Sequence, residues 1–218
     1  MAKVLVIGAS RGIGKAVAKR LAEDGHSVRA FSRSGHTPNT RDTAIEAFRG
    51  DALSAEDIKR ALQGVETVIQ ALGVKADFKM ITGPVTLFSE ATRALLPAMG
   101  ESGVKRLIAV TGFGAGDSDQ AISPLQRLPF CAALGRAYDD KSIQETLITR
   151  SALDWMIVRP GVLTDGPPTG TYRVLTEPAT WRNGVISRAD VADFIADQVD
   201  TEPLGGRKPV LIRWPFPL

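Results

Sequence analysis

Short β-branched apolar runs alternate along the chain with stretches whose apolar residues recur at helical spacing. Val4 to Ile7 is the first run, short enough for a buried parallel strand. From Ile13 onward, Val17, Ala18 and Leu21 fall on one helix face, and Gly25 after Asp24 closes that helix. Ser27 to Phe31, Ile45 to Gly50 and Thr67 to Ala71 predict three further strands, with a helix capped by Ser54 before the last. Pro84 to Met99 places Val85, Phe88, Ala91, Leu95 and Met99 on one side of a long helix, with Pro97 in its frayed last turn. Lys105 to Val110 and Trp155 to Val158 read as strands around a helix over Ala137 to Ser151. Ser187 caps a helix through Asp190, Val191, Phe194 and Ile195, and Pro209 to Arg213 is the last strand.

Two stretches have no clean period. Residues 113–136, with Ser123-Pro124 and Leu128-Pro129-Phe130, predict a loop with short helical pieces. Thr164 to Asn183 is rich in Pro, Gly and Thr and includes Tyr172 and Trp181. Long loops beyond strand ends shape ligand sites, so 113–136 and 163–184 are expected to cover a substrate. The alternation predicts an α/β fold, a single-domain, doubly wound, Rossmann-type and mostly parallel sheet with helices on both faces, over residues 1–218.

Composition narrows the setting. A chain of 218 residues, 44% hydrophobic and 23% charged, fits one soluble domain. Its net charge of +3 is dispersed, so no nucleic-acid partner is expected. The lone Cys131 excludes an internal disulfide and suits a reducing compartment. No apolar run reaches the roughly 18 residues of a membrane helix, and the first strand begins without room for a signal peptide. A cytoplasmic protein is expected, with no membrane partner. With only His26 and His36 and no paired cysteines, no metal site is expected.

The chemistry gathers at the first strand-to-helix joint. Gly8 suits the sharp turn, Gly12 close backbone approach to a ligand, and Gly14 tight packing of helix on strand. Ser10, Arg11 and Ile13 complete a G-x-x-x-G-x-G variant of the dinucleotide fingerprint, whose helix N-terminus faces a pyrophosphate. About 20 residues on, a NAD-specific domain carries an acid for the ribose hydroxyls. Here the chain reads Ser32-Arg33-Ser34, and the next acid is Asp42. Arg33 and Arg11, with Ser32 and Ser34, suit a 2′-phosphate, which selects NADP(H) over NAD(H). A solvated surface arginine is the other reading of Arg33. Gly73, after Ala71-Leu72, lets backbone approach a cofactor ribose or simply makes a turn.

Gly8-Ala-Ser-Arg-Gly-Ile-Gly14 resembles the short-chain dehydrogenase/reductase superfamily. Gly50-Asp51, Leu72-Gly73, Lys141 with Glu145, Trp155-Met-Ile-Val-Arg-Pro-Gly161 and Val185-Ile-Ser-Arg-Ala-Asp-Val-Ala192 resemble its atypical members. The likeness is to the NAD(P)H-binding group that includes biliverdin-IXβ reductase/flavin reductase. It runs over nearly the whole chain and includes Thr169-Gly-Thr-Tyr-Arg-Val174. The resemblance implies that Asp51 and Ala52 flank the adenine, where Asp51 either accepts from the amino group or ends its strand. It implies a nicotinamide beside Thr111, Pro160 and Gly161. Thr111 either orients a substrate oxygen or satisfies its own strand end. Lys141 holds the nicotinamide ribose or else pairs with Glu145. The family's Tyr-x-x-x-Lys appears here as Tyr138-Asp-Asp-Lys141, one residue short, which turns Tyr138 about 100° from the family position.

The expected function is an NADPH-dependent oxidoreductase passing hydride to a conjugated small-molecule acceptor such as a flavin, quinone or tetrapyrrole. Such acceptors need little help with protonation, which suits the displaced tyrosine and an open loop bearing Tyr172 and Trp181. The candidate catalytic residues are Thr111, Lys141 and, as the displaced member, Tyr138. A non-catalytic NADP(H)-sensing regulator is the alternative, and a sugar-nucleotide epimerase or dehydratase is disfavoured. A monomer or small homo-oligomer is expected.

Overall fold

The computed structural model describes residues 1–36, 44–74 and 85–215, with side chains throughout except at 124–133 and 215. Asp42 and Pro84 lie outside these residues. The elements in order are β1 (Lys3–Ile7), α1 (Gly12–Glu23), β2 (Ser27–Ser32), β3 (Ile45–Arg49), α2 (Ala55–Ala61) and β4 (Thr67–Gln70). Then come α3 (Leu87–Ser102), β5 (Arg106–Val110), a 3-10 turn (Gly116–Ala121), α4 (Pro124–Thr149), β6 (Asp154–Pro160) and β7 (Val162–Thr164). The chain continues through β8 (Arg173–Leu175), a 3-10 turn (Pro178–Thr180), β9 (Gly184–Ser187), α5 (Arg188–Val199), β10 (Val210–Ile212) and β11 (Trp214–Pro215).

Eight strands form one sheet in the order β3-β2-β1-β4-β5-β6-β10-β8, parallel except for the antiparallel edge strand β8. Strand order reverses between β1 and β4, and doubly wound folds bind ligands in the crevice this reversal opens. One sheet face buries Val4, Val6, Val158 and Met156 against Val17 and Leu21 of α1 and Val191 and Ile195 of α5. The other buries Leu5, Ile7 and Leu107 against Ile58 of α2 and Leu95 and Met99 of α3. Both faces of the central strands are apolar, which is why they read as continuous runs rather than alternations. A small second sheet, β11-β9-β7, stands beyond the end of β6.

The helix caps form as their sequences predict. Ser54 Oγ accepts from Asp57 N–H and Ser187 Oγ from Asp190 N–H. Two expectations are corrected. The loop expected over 113–136 is helical from Pro124, because proline at the first helical position needs no N–H partner and has its φ already set. Pro129, expected in that loop, lies inside this 26-residue helix. The loop expected over 163–184 contributes β8 to the edge of the main sheet, with Leu175, Val174 and Arg173 opposite Val210, Leu211 and Ile212.

Candidate functional site

The carboxyl ends of β1, β2, β4, β5 and β6 bring most of the sequence-nominated residues to one end of the sheet. At the β1–α1 joint, the N–H groups of Gly8 and Ala9 both turn back to Phe31 O, at 3.0 and 3.2 Å. Gly8 has φ +96°, and a Cβ on it would stand 2.5 Å from Ala71 O. A Cβ on Gly14 would stand 2.4 Å from Gly8 O, so helix, turn and β4 meet backbone to backbone. Gly12, at φ +57°, has open space in front of it. The first turn of α1 carries no acid, and the amides there have no intrahelical acceptor. Ser10 and Arg11 are exposed and Ile13 is half-buried beside this opening. The joint therefore fits a pyrophosphate, with the positive end of the helix dipole facing it.

Arg11 does not join Arg33. Its Nη2 donates to Gly73 O at 3.0 Å, on the β4 side of β1, whereas Arg33 follows β2 on the other side. Ala71, whose N–H donates to Ile7 O, and half-buried Leu72 lead up to that glycine. At the end of β2, Ser32 and Ser34 hydroxyls are 3.4 Å apart and Ser34 Oγ accepts from His36 N–H. Asp51 closes its own turn: Oδ1 accepts from Leu53 N–H at 3.1 Å, and its N–H donates to Asp57 Oδ2 at 2.8 Å. That N–H and the Arg60 guanidinium hold the Asp57 carboxyl below the usual carboxylate range. Ala52 is buried in the core beneath this turn.

At the end of β5, Thr111 is buried and both its polar groups are engaged. Its hydroxyl donates to Glu145 Oε1 at 2.7 Å, and its carbonyl accepts from Lys141 Nζ at 2.5 Å. The hydroxyl's own proton is thus committed to Glu145 rather than to the end of its strand. Lys141 Nζ lies 5.1 Å from the Phe88 ring centroid and 4.9 Å from that of Tyr138. Burial lowers its pKa to about 8, with the Glu145 carboxylate one turn along working the other way. The Tyr138 hydroxyl rests against Gly112, where a Cβ would come within 2.5 Å of it, and burial pushes its pKa up to about 12. One residue short of the family spacing, Tyr138 still shares a helix face with Lys141 and reaches the Thr111-Gly112 backbone.

Behind this group lies an ion cluster that no sequence pattern indicated. Arg159 is fully buried and donates to both oxygens of Glu145, from Nε at 3.0 Å and Nη2 at 2.5 Å. Nη2 also bonds Asp117, which receives Lys208 Nζ at 2.5 Å. The Trp181 ring covers the Arg159 guanidinium at 4.9 Å, a cation–π contact. Pro160 is buried, and its carbonyl accepts from Phe113 N–H at 2.9 Å. Gly161 is required by packing, since a Cβ there would meet Gly184 O at 2.3 Å.

The loop over 163–184 is tied down by Asp190, which is fully buried at the start of α5. It accepts from the N–H groups of Thr169 and Gly170, at 2.6 and 3.1 Å, and from the hydroxyls of Thr169 and Ser187. Burial opposes the charge, but these donors outweigh it and hold the carboxyl below its usual range. Tyr172 packs edge-on to Phe194, with centroids 6.2 Å apart, and Trp181 donates from Nε1 to Leu175 O. Both aromatic rings of this loop are used to hold it. The one signal for Asp190 along the sequence was a carboxylate three residues after the cap Ser187, and an acid there usually serves the helix alone.

Among the described residues, no helix is long and apolar enough to cross a membrane, and no group of three or more His, Cys, Asp or Glu could hold a metal. A family profile described as NAD(P)H-binding matches residues 8–202. An uncharacterized chloroplastic protein of Arabidopsis thaliana is 30% identical over 203 residues, covering 89% of this chain and 71% of that protein. The uncharacterized sugar epimerase YhfK of Bacillus subtilis is 27% identical over 205 residues, 91% of this chain and 88% of its own. Among solved structures, the anaerobillin reductase ChuY of Escherichia coli O157:H7 superposes with a TM-score of 0.80 at 27% identity, covering 97% of each chain. The strand order, the glycine joint at its reversal and a match over most of the sequence agree: the chain is an oxidoreductase that belongs to the NAD(P)H-binding family.

Proposed function

We propose that this oxidoreductase uses NADPH to reduce a flat conjugated acceptor of the tetrapyrrole, flavin or quinone class. The observation that carries the reading is the disposition of hydroxyls at the end of β5. Thr111 is bonded inward to Glu145, and Tyr138 is a phenol with a pKa of about 12, a weak proton donor. A simple ketone needs a proton donor with a pKa near the working pH beside its oxygen, whereas a conjugated acceptor spreads the charge and takes its proton from solvent. The likeness to ChuY over the full length supports the tetrapyrrole class.

Bound NADPH supplies the hydride. The chain's part is positioning: the α1 N-terminus receives the pyrophosphate, and Lys141, held by Thr111 O, stands ready to donate to the nicotinamide ribose. The cofactor choice rests on arginine charge at the end of β2.

The test is purified protein with NADPH and a panel of flavins, quinones and linear tetrapyrroles, following loss of the reduced nicotinamide. Turnover of at least one acceptor is expected. Tight NADPH binding with no turnover across the panel would replace the enzyme by a cofactor sensor. Interconversion of a sugar nucleotide without net NADPH consumption would make it an epimerase.

A further inference from the structure

The adenosine end of the cleft contains a second arginine that the glycine-loop pattern does not point to. Arg49 is the last residue of β3, and in the parallel register it stands opposite Ser32. Paired residues lie on one face of a sheet, so Arg49 and Ser32 share the face opposite the stacked Phe31 and Phe48 rings. Arg33 follows Ser32 directly. Arg33, Arg49, Gly50, Asp51 and Asp57 line one depression of about 360 Å³.

The charges in this depression are not evenly matched. Asp57 is bonded to Arg60 and to Asp51 N–H, and Asp51 is turned to Leu53 N–H. Among the described residues neither Arg33 nor Arg49 is paired with a carboxylate. Two exposed cations that line one depression repel, and an arrangement of this kind is stabilised by an anion between them. The stem of Arg49 is also held in place. Gly35, at φ +66°, folds the turn after β2 against it, and a Cβ there would stand 3.2 Å from Arg49 Cβ. Adjacent strands are about 4.8 Å apart, a spacing that two guanidinium groups can bridge across one phosphate.

We propose that Arg49 and Arg33, with the Ser32 and Ser34 hydroxyls at the rim, form a phosphomonoester site that takes the 2′-phosphate of NADPH. This rests on the NADPH reading and reassigns its second charge. Arg11, bonded to Gly73 O on the far side of β1, serves whichever dinucleotide is bound. Arg49 is the residue that distinguishes one from the other.

Calorimetric titration of the intact protein tests this with four probes: NADP+, NAD+, and the fragments 2′,5′-ADP and 5′-AMP. In Arg49→Gln and in Arg33→Gln, the affinity for 2′,5′-ADP and NADP+ should fall about tenfold or more, the loss expected for a charge-assisted hydrogen bond. The affinities for 5′-AMP and NAD+ should hold. Arg11→Gln should weaken NADP+ and NAD+ by the same factor. Both arginines are exposed, so an unchanged urea midpoint checks the fold of each variant. If Arg33→Gln weakens 2′,5′-ADP and Arg49→Gln does not, the assignment of Arg49 is overturned while the NADPH reading stands. If the wild type binds 2′,5′-ADP no better than 5′-AMP, the NADPH reading itself falls and this site with it.

Discussion

Replacing Arg159 by methionine isolates what the buried ion cluster contributes. The substitution keeps an apolar chain of similar length beneath Trp181 but removes the guanidinium. Glu145, only 3% exposed, then keeps the hydrogen bond from the Thr111 hydroxyl, while Asp117 keeps Lys208. Removing one partner of a buried pair costs about 3–5 kcal/mol, because the other charge stays desolvated and uncompensated. For a domain of this size each kcal/mol shifts Tm by about 2–4 °C, so a fall of about 6–20 °C is expected. The double variant Arg159→Met/Glu145→Leu removes both charges and should recover most of the loss, since an apolar pair of similar volume is often no worse than the ion pair. Thermal and urea unfolding of wild type, both single variants and the double variant complete the cycle. A single-variant loss under about 1 kcal/mol, or a double variant less stable than the sum of the singles, would refute this account of the cluster.

Three further outcomes are expected. Tyr138→Phe should keep most of the turnover with a conjugated acceptor, whereas a true general acid would take about 10²–10⁴-fold with it; steady-state rates at saturating NADPH decide. Lys141 loses its proton above about pH 8, so NADPH affinity should weaken as pH rises through that value, and Lys141→Met should bind more weakly with no such step. Because its folded pKa lies below the ordinary lysine value of about 10.4, the unfolded chain binds more protons between the two, and stability from this group rises with pH across that window. Asp190→Asn should raise the KM for the acceptor by freeing Thr169 and Gly170, and should lower stability at neutral pH by about 1–3 kcal/mol. The depressed Asp190 carboxyl contributes fully above the unfolded value of about 3.9, and its contribution is lost as pH falls through the folded value. Acid unfolding of the variant should therefore be shallower.

Local signals made the parallel sheet and the glycine joint readable. Buried strands such as Val4–Ile7 are continuous apolar runs, and Gly8, Gly12 and Gly14 mark places where backbone or ligand comes too close for a Cβ. The second half of α4 was expected from Ala137 onward, but its first half was hidden because Ser123-Pro124 reads as a break until it is seen as a helix start. The site's electrostatics were legible only in part. Arg33 stands out as the residue replacing an acid, but Arg49 acquires its meaning only from the register of β2 with β3. The Arg159–Glu145–Asp117–Lys208 cluster joins residues from β6, α4, the 3-10 turn before α4 and the segment before β10, and no spacing along the chain reveals such a meeting. Arg11 looked like a phosphate ligand because it sits in the glycine loop; the direction of its side chain is a tertiary fact.

Strand β8 gives the acceptor loop a second occupation, with a bearing on how this scaffold can diversify. By pairing with β10 it seals an edge whose residues Val210, Leu211 and Ile212 are wholly buried. Excising the loop would leave that edge open to pairing with other chains, so an exchange of whole loops between relatives invites aggregation before it alters selectivity. The tolerant stretches are the turns on either side, 165–168 and 176–180, which are largely exposed. New acceptor preferences are therefore most accessible through point changes and short insertions there, with Arg173–Leu175 kept as a fixed seam between the sheet and its rim.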